Sequence, residues 1–274
     1  MVKLTRRKAI ITGIGAVTAS MIPSIQGYAR NESTSNVKHQ PIVLVHGAWH
    51  GAWAWVKLIP LLQGAGYSVT TLDLSGLGAN SHRQSPEIGL HIHGLDVLNH
   101  LFFNDIRDAV VVAHSYGGAV LSQAVAGDKE ERISHAIYLD AFLPGEGESV
   151  AGFQDQETQN HFKAAAEAGK MVPPRAPETW EKVWGLKGED ALWSAPRMRP
   201  MSARCFTEVV QGDPFKSDIR RTYMRCIQNK NPLFDSFSDK TKKDNRFTQT
   251  DVDGHHNVMV IDPVEMRDAL LAVL

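Results

Sequence analysis

Ser115 is the residue whose surroundings most clearly indicate a chemical role. It follows an apolar run and lies two residues before a pair of glycines. Residues 109–113 predict a buried β-strand, and residues 116–126 predict a helix with one apolar face. A serine in the tight turn between such elements has a strained backbone that needs small residues two positions to either side. Ala113 and Gly117 meet that need, and the helix N-terminus favours negative charge at the serine. The pattern predicts a nucleophilic serine; the structural alternative is a strand–turn–helix crossover with an incidental one.

A second short motif, His46-Gly47, follows the apolar strand predicted at residues 41–45. It resembles the segment in which α/β-hydrolases place half of their oxyanion hole. Small residues are needed there because backbone N–H groups must approach the substrate closely. We assign the two oxyanion donors to the N–H groups of Ala48 and of Tyr116, the residue directly after the serine.

A general base must accept the proton of the serine, and the C-terminal region offers two candidates. His255 and His256 follow the last predicted strand and precede the C-terminal helix, where this type of fold carries its base. We favour His256, because it matches that position better when counted back from Met259 and Pro263. His255 would then be its neighbour in the loop.

The third member of such a triad is an acid that orients the imidazole and stabilises its protonated form. Its usual place is the loop after Cys226, but Asn229 lies at the expected point and carries no charge. Two carboxylates remain: Asp140, which ends an otherwise apolar strand, and Asp235, which lies slightly further along the usual loop. We favour Asp140, because a charge at the end of an apolar strand calls for a functional explanation, and keep Asp235 as the alternative.

Four further histidines do not predict a metal site, because they lie on a predicted loop and a predicted helix without closed ligand spacing. These residues are His82, His91, His93 and His100. We therefore expect no metal, and we expect His114, beside the serine, to pack rather than to react.

Short apolar strands alternate with helical patterns, which is typical of a mostly parallel sheet flanked by helices. The strands are predicted at about residues 41–45, 68–72, 109–113, 135–140, 221–226 and 247–251. The helices are predicted at about residues 54–64, 90–102, 116–126, 232–243 and 263–274. The predicted class is therefore α/β, and the resemblance of the serine and His-Gly motifs to those of α/β-hydrolases implies that fold over residues 39–274.

The alternation breaks between about residues 144 and 217, which contain many prolines, several methionines and three tryptophans: Trp180, Trp184 and Trp193. We predict a helical cap inserted after the sixth strand in the family's count, the strand at 135–140, and lying over the serine. Its aromatic and Met side chains would form an apolar pocket. The alternative is that the tryptophans only hold the cap together.

The first thirty residues predict an export signal rather than part of the fold. Four basic residues among positions 3–8 precede a moderately apolar segment at 9–25, and small residues follow at 27–29. Arg6 and Arg7 resemble a twin-arginine signal, although Ala9 stands where an aromatic residue is usual. An ordinary secretory signal or an uncleaved anchor are the alternatives. We expect a periplasmic or secreted protein.

Composition excludes several classes of function. The 274 residues carry 29 Lys and Arg against 30 Asp and Glu, so no basic excess points to nucleic acid. After the leader, no apolar run is long enough for a stable membrane span. Two cysteines, Cys205 and Cys226, exclude a disulfide scaffold and leave open whether they pair. The oligomeric state also stays open.

The motifs closely resemble a subgroup of α/β-hydrolases that contains plant methyl esterases, salicylic-acid-binding esterases and hydroxynitrile lyases, together with its bacterial relatives. The segments that carry the resemblance are residues 43–55, 76–78, 113–118 and 138–142 and the C-terminal His-x-x-Met. The resemblance implies a Ser-His-acid esterase without a cofactor. Hydroxynitrile lyases have Thr and Lys at the positions of Gly47 and Asn257, so lyase activity is not expected.

The predicted function is that of a serine hydrolase that cleaves carboxylic esters of small to medium apolar or aromatic substrates. Ser115 would attack the carbonyl, His256 would carry the proton, and Asp140 would orient His256 while an acyl-enzyme forms. A lactonase or a carbon–carbon bond hydrolase on the same triad is an alternative. A ligand-binding receptor on a hydrolase scaffold is another, and the missing acid at Asn229 is its support.

Overall fold

The computed structural model describes residues 39–274, and the predicted export signal lies outside them. Six parallel strands form one sheet: β1 Ile42–Val45, β2 Val69–Thr71, β3 Ala109–His114, β4 Ile133–Leu139, β7 Arg220–Cys226 and β8 Thr248–Val252. Their order in the sheet is β2-β1-β3-β4-β7-β8. A separate two-stranded antiparallel ribbon consists of β5 Met171–Val172 and β6 Met201–Ser202.

Helices cover both faces of the sheet, so the central strands read as continuous apolar runs rather than alternating ones. Successive side chains of β1 enter different clusters: Val43 and Val45 pack on one face, and Ile42 and Leu44 on the other. The helices outside the cap are α1 Ile59–Gly64, α2 Leu90–Phe103, α3 Gly117–Gly127, α8 Pro232–Lys242, α9 Val258–Ile261 and α10 Pro263–Leu271.

The prediction of one continuous helix at about residues 54–64 is wrong. A short 3-10 helix, Ala52–Trp55, is followed by α1, which begins at Ile59. Pro60 lies in the first turn of α1, where the missing N–H costs nothing, but it would disrupt a longer helix running through it.

The insertion between β4 and β7 contains four helices and the two-stranded ribbon among the described residues. Its helices are α4 Gln156–Glu167, α5 Trp180–Trp184, α6 Gly188–Ser194 and α7 Arg204–Thr207. The strand before the insertion, sixth in the family's count, is the fourth strand of the described chain. The insertion is tied to the body through Trp49, whose Nε1–H donates to the Val172 carbonyl at 3.1 Å.

Within residues 39–274, no helix combines the length and the apolar character that crossing a membrane requires. Cys205 and Cys226 are both buried and both free, so the structure does not pair them.

Candidate active site

Ser115 lies in the sharp turn between β3 and α3, with φ at 55°, a left-handed conformation that is uncommon for a non-glycine residue. Gly117 is required beside it, because a Cβ there would come within 2.8 Å of the His46 carbonyl oxygen. The backbone is fixed on both sides: the Ser115 N–H donates to Leu139 at 3.2 Å, and its carbonyl accepts from Phe142 at 3.1 Å. The turn therefore presents the serine at the carboxyl edge of the sheet.

His256, in the loop between β8 and α9, lies with its Nε2 3.0 Å from the Ser115 Oγ. Its backbone is held by His114, whose Nε2–H donates to the His256 carbonyl at 2.8 Å. His255 points elsewhere, with its Cβ against Gly185 of the cap. The structure thus brings His256, and not His255, to the serine.

Asp140 directly follows β4 and is fully buried, with φ at 43°. Its Oδ2 accepts from the Nδ1–H of His256 at 2.7 Å. Asp235 instead pairs with Arg225 at 2.8 Å, and its side chain is 60% exposed. The carboxylate that the structure places against His256 is therefore that of Asp140.

Two residues that the sequence analysis did not assign to the site complete the surroundings of the Asp140 carboxylate. Arg225 NH1 donates to Oδ1 at 2.6 Å, and Asn229 Nδ2 donates to Oδ2 at 2.6 Å. The available signal for Arg225 is a basic residue near the end of a predicted strand, since such a charge rarely lies buried without a partner.

The N–H groups of Ala48 and Tyr116 donate to no backbone acceptor within the described part of the chain. Both residues line the same cavity as Ser115 and His256. A Cβ on Gly47 would lie 3.0 Å from the Cβ of Ser115, so threonine would not fit there without a shift. Two unpaired N–H groups beside a serine can accept a developing oxyanion.

His46 fixes the peptide that carries the Ala48 N–H. The Nδ1–H of His46 donates to the Gly47 carbonyl at 2.9 Å, and its Nε2 accepts from the Leu74 N–H at 3.2 Å. Both ring nitrogens are therefore used by the neutral imidazole, and burial lowers the pKa of His46 to about 3. The sequence motif marked this residue without showing that its side chain, and not only its backbone, orders the loop.

His50 and Asn257 form a second neutral pair behind the site. The amide of Asn257 donates to His50 Nε2 at 3.0 Å, while His50 Nδ1–H donates to the Ala48 carbonyl at 2.6 Å. Burial lowers the pKa of His50 to about 4. Asn257 thus contributes an amide donor and no positive charge near the serine.

The side chain of Tyr116 is anchored through its hydroxyl group by His93. His93 Nε2–H donates to the Ser75 carbonyl at 3.0 Å, which leaves Nδ1 to accept from the Tyr116 hydroxyl at 2.9 Å. Burial raises the pKa of Tyr116 well above its usual range and that of the adjacent Cys205 thiol to about 12, so both groups are neutral. The role of His93 is therefore structural: it holds the Tyr116 side chain in place through a hydrogen bond.

A cavity of about 210 Å³ opens above Ser115 and His256, between the sheet and the cap. Eight aromatic residues line it: Trp49, Tyr116, Phe142, Phe153, Phe162, Trp184, Phe206 and Phe234. Polar side chains also reach it: Gln154, Asp155, Thr158, Arg175 and Asn231. The lining is mainly apolar with a few polar groups, which is typical of a small-molecule site.

The expectation that methionines line the pocket is wrong, because phenylalanines take that place. Of the three cap tryptophans, only Trp184 reaches the cavity. Trp180 packs on Trp184 with ring centroids 5.6 Å apart, and Trp193 packs on Trp53 at 5.3 Å. Both predicted roles therefore occur, since one tryptophan lines the site and two help to hold the cap together.

A metal-binding cluster of three or more His, Cys, Asp or Glu side chains is not found in residues 39–274. Chemically, a serine hydrogen-bonded to a histidine that is itself bonded to a buried carboxylate can carry out acyl transfer.

The family profile described as "Alpha/beta hydrolase family" matches residues 42–269, which is most of the chain. The chain belongs to the alpha/beta hydrolase family. The sheet order and the serine turn described above agree with this membership, and the predicted fold class is confirmed.

Curated relatives confirm the resemblance to the methyl esterase subgroup. Methyl jasmonate esterase 1 of Vitis vinifera is 36% identical over 223 residues, which cover 69% of this chain and 78% of the relative. The carbendazim hydrolyzing esterase of Nocardioides sp. (strain SG-4G) is 39% identical over 108 residues, 39% of this chain and 44% of the relative. Methylesterase 2 of Arabidopsis thaliana is 41% identical over 110 residues, 39% of this chain and 41% of the relative. The chain thus spans less than half the length of the last two.

Solved structures show the same fold. An extracellular alpha/beta-hydrolase from a Paenibacillus species superposes with a TM-score of 0.72 at 21% identity, covering 85% of this chain and 98% of that one. Polyneuridine aldehyde esterase superposes with a TM-score of 0.67 at 24% identity, covering 86% of this chain and 99% of that one.

Proposed function

We propose that the protein is a serine-dependent carboxylic ester hydrolase. The observation that carries this proposal is the continuous hydrogen-bonded chain from Ser115 through His256 to the buried Asp140, at the base of an aromatic cavity. Several of the relatives bear the names of esterases and methylesterases, which supports the same reaction class.

Catalysis begins when Ser115 Oγ attacks the ester carbonyl and His256 Nε2 takes its proton. The Asp140 carboxylate stabilises the resulting imidazolium, and the Ala48 and Tyr116 N–H groups bind the tetrahedral oxyanion. His256 then gives the proton to the leaving alcohol as the acyl-enzyme forms. Water, deprotonated by the same imidazole, attacks the acyl group, which leaves as the acid and restores the serine.

The substrates proposed for this site are esters of small to medium size with an apolar or aromatic portion. The rings that line the cavity favour such groups through burial of apolar area. The contact between Asp140 and His256 supports a hydrolase over the alternative of a ligand-binding receptor, whose support is the absence of an acid at Asn229.

Hydrolysis of a panel of p-nitrophenyl and methyl aryl esters, by the wild type and by Ser115→Ala, tests the proposal. We expect turnover by the wild type and a loss of at least about three decades in kcat/KM for the variant. Equal turnover by a folded Ser115→Ala protein would contradict the mechanism. No turnover of any ester by the folded wild type would contradict the reaction class.

A further inference from the structure

The carboxylate of Asp140 is enclosed by three donors, of which His256 is only one. Arg225 occupies Oδ1 at 2.6 Å, while Asn229 and His256 share Oδ2 at 2.6 and 2.7 Å. All four side chains are buried, so water does not compete for these bonds. Of the four lone-pair directions of the carboxylate, one is therefore used by the imidazole and two are held by Arg225 and Asn229.

Arg225 also holds the segment that carries Asn229. Its NH1 donates to the carbonyl of Cys226, its NH2 donates to the carbonyl of Asn229, and Nε and NH2 reach Asp235 Oδ1 at 3.0 and 2.8 Å. One guanidinium thus joins the end of β4, the loop after β7 and the start of α8. Its planar fork suits this geometry in a way that a lysine cannot reproduce.

Resting on the function proposed above, we propose that Arg225 and Asn229 are positioning residues for Asp140. They orient its carboxylate toward His256 and offset part of its negative charge, which sets how readily His256 accepts a proton. Neither lines the cavity above Ser115.

The charge argument depends on what surrounds the imidazole of His256. Besides Asp140, the imidazole has as titratable neighbours His114 of β3, with ring centroids 4.5 Å apart, and His50 of the turn after β1. Burial lowers the pKa of both, so they are neutral at pH 7. The charges that act on His256 are then the buried pair Asp140 and Arg225, with the more exposed Asp235 behind them.

The side chain at position 229 must be neutral because it lies directly against the Asp140 carboxylate. Its Nδ2 lies 2.6 Å from Asp140 Oδ2 and 3.4 Å from His256 Nδ1. A carboxylate in this place would face Asp140 at hydrogen-bonding distance, and two such groups cannot both ionise without a large cost. An amide donates to the acid instead and leaves its orientation unchanged.

Removing the positive charge should favour protonation of His256. For Arg225→Gln we expect the acid limb of kcat/KM to move to higher pH by about one unit, because a unit charge within several ångströms acts at low local dielectric. Arg225→Lys keeps the charge and should restore the wild-type limb, with a lower kcat because the fork is lost. Asn229→Leu removes a donor dipole and should move the limb in the same direction by a smaller amount.

Asp235→Asn is the matched control, since it changes the exposed partner of the same guanidinium. Its acid limb should stay close to that of the wild type, because an exposed carboxylate is screened by solvent. A purely structural role for Arg225 would lower the midpoint of thermal unfolding without moving the limb.

The experiment measures pH profiles of ester hydrolysis together with NMR titration of the His256 ring nitrogens, which needs no turnover. Upward shifts in both for Arg225→Gln and Asn229→Leu, and recovery in Arg225→Lys, support the proposal. If Arg225→Gln does not fold, the pH profile and the NMR titration of Asn229→Leu test the proposal instead. Unchanged midpoints in the folded variants overturn the proposal. If the wild type hydrolyses no ester, the proposed function fails. The NMR titration of His256 then still tests whether Arg225 and Asn229 act on the imidazole.

Discussion

Asp140 and His256 are joined by a 2.7 Å hydrogen bond although 116 residues separate them in the chain. The bond links the end of β4 to the loop after β8, across β7, which lies between these strands in the sheet. Asn229, after β7, supports this contact by donating to the same carboxylate oxygen. The site is thus built around a carboxylate directly after β4 and an amide, Asn229, where the sequence pattern would place the acid.

Replacing Asp140 should cost far more activity than replacing Asp235. Asp140→Asn removes the charge that stabilises the imidazolium and permits the wrong tautomer of His256, so we expect kcat to fall by about four decades. Asp235→Asn should change kcat less than about tenfold, because this exposed carboxylate contacts Arg225 and not the imidazole. Steady-state kinetics on one p-nitrophenyl ester compares the two. A large loss in Asp235→Asn alone would show that Asp140 is not the acid.

An exchange of the two side chains should recover part of the lost activity. In Asp140→Asn/Asn229→Asp the carboxylate moves to a residue whose amide lies 3.4 Å from His256 Nδ1. We expect the double variant to regain at least about one decade in kcat over Asp140→Asn, since a negative charge again faces the imidazole. Thermal unfolding of both variants checks that they are folded. No recovery in a folded double variant would contradict this geometry.

The size of the cavity should govern the preference for acyl chain length. Phe162 of α4 stacks on Phe206 with ring centroids 4.7 Å apart, and both line the cavity. Phe162→Ala should enlarge the site and move the preferred p-nitrophenyl ester toward longer acyl chains by about two carbons or more, each buried methylene being worth about 0.8 kcal/mol. Phe103→Ala, at a ring that is 78% exposed, is the matched control and should leave the preference unchanged. An identical chain-length profile in both variants would mean that the substrate lies elsewhere.

Buried neutral histidines should make the fold sensitive to acid. Burial lowers the pKa of His46 to about 3 and those of His50 and His135 to about 4, while the unfolded chain protonates near 6.5. Their stabilising contribution is complete above pH 6.5 and is lost as the pH falls toward 4, because the unfolded state binds protons first. Each costs up to about 1.4 kcal/mol of unfolding free energy per pH unit in that range.

Urea unfolding at pH 7.5 and pH 5.0 measures this loss. His135→Gln tests a buried histidine that lies outside the candidate active site. The Nε2 of His135 pairs with Thr222 Oγ1 at 2.8 Å. The variant should lose less stability than the wild type between the two pH values. An equal loss would show that His135 does not take part in the acid sensitivity.

The central strands β1 and β3 could be predicted from the sequence because buried parallel strands read as short, mostly apolar runs. Residues 109–113 and 41–45 were predicted as strands, and β3 and β1 lie at Ala109–His114 and Ile42–Val45. The helix around Pro60 was less predictable, since periodicity alone does not show where a 3-10 turn replaces the helix.

The surroundings of the acid could not be derived from sequence, because they depend on how β4, β7 and α8 meet. Asp140 and Asp235 both fit the pattern, and only the three-dimensional packing places one against His256 and the other against Arg225. The fork of Arg225 joins residues 85 positions apart, and no local periodicity reports such a contact.

Covalent labelling measures the reactivity of Ser115 directly, without assuming a substrate. A fluorophosphonate probe should add to the folded protein once per chain, with loss of fluoride, and peptide mapping should place the adduct on Ser115. Ser115→Ala should take up no probe, and Asp140→Asn should react much more slowly than the wild type. An adduct on another residue, or none on a protein that hydrolyses esters, would contradict the assignment of Ser115 as the nucleophile.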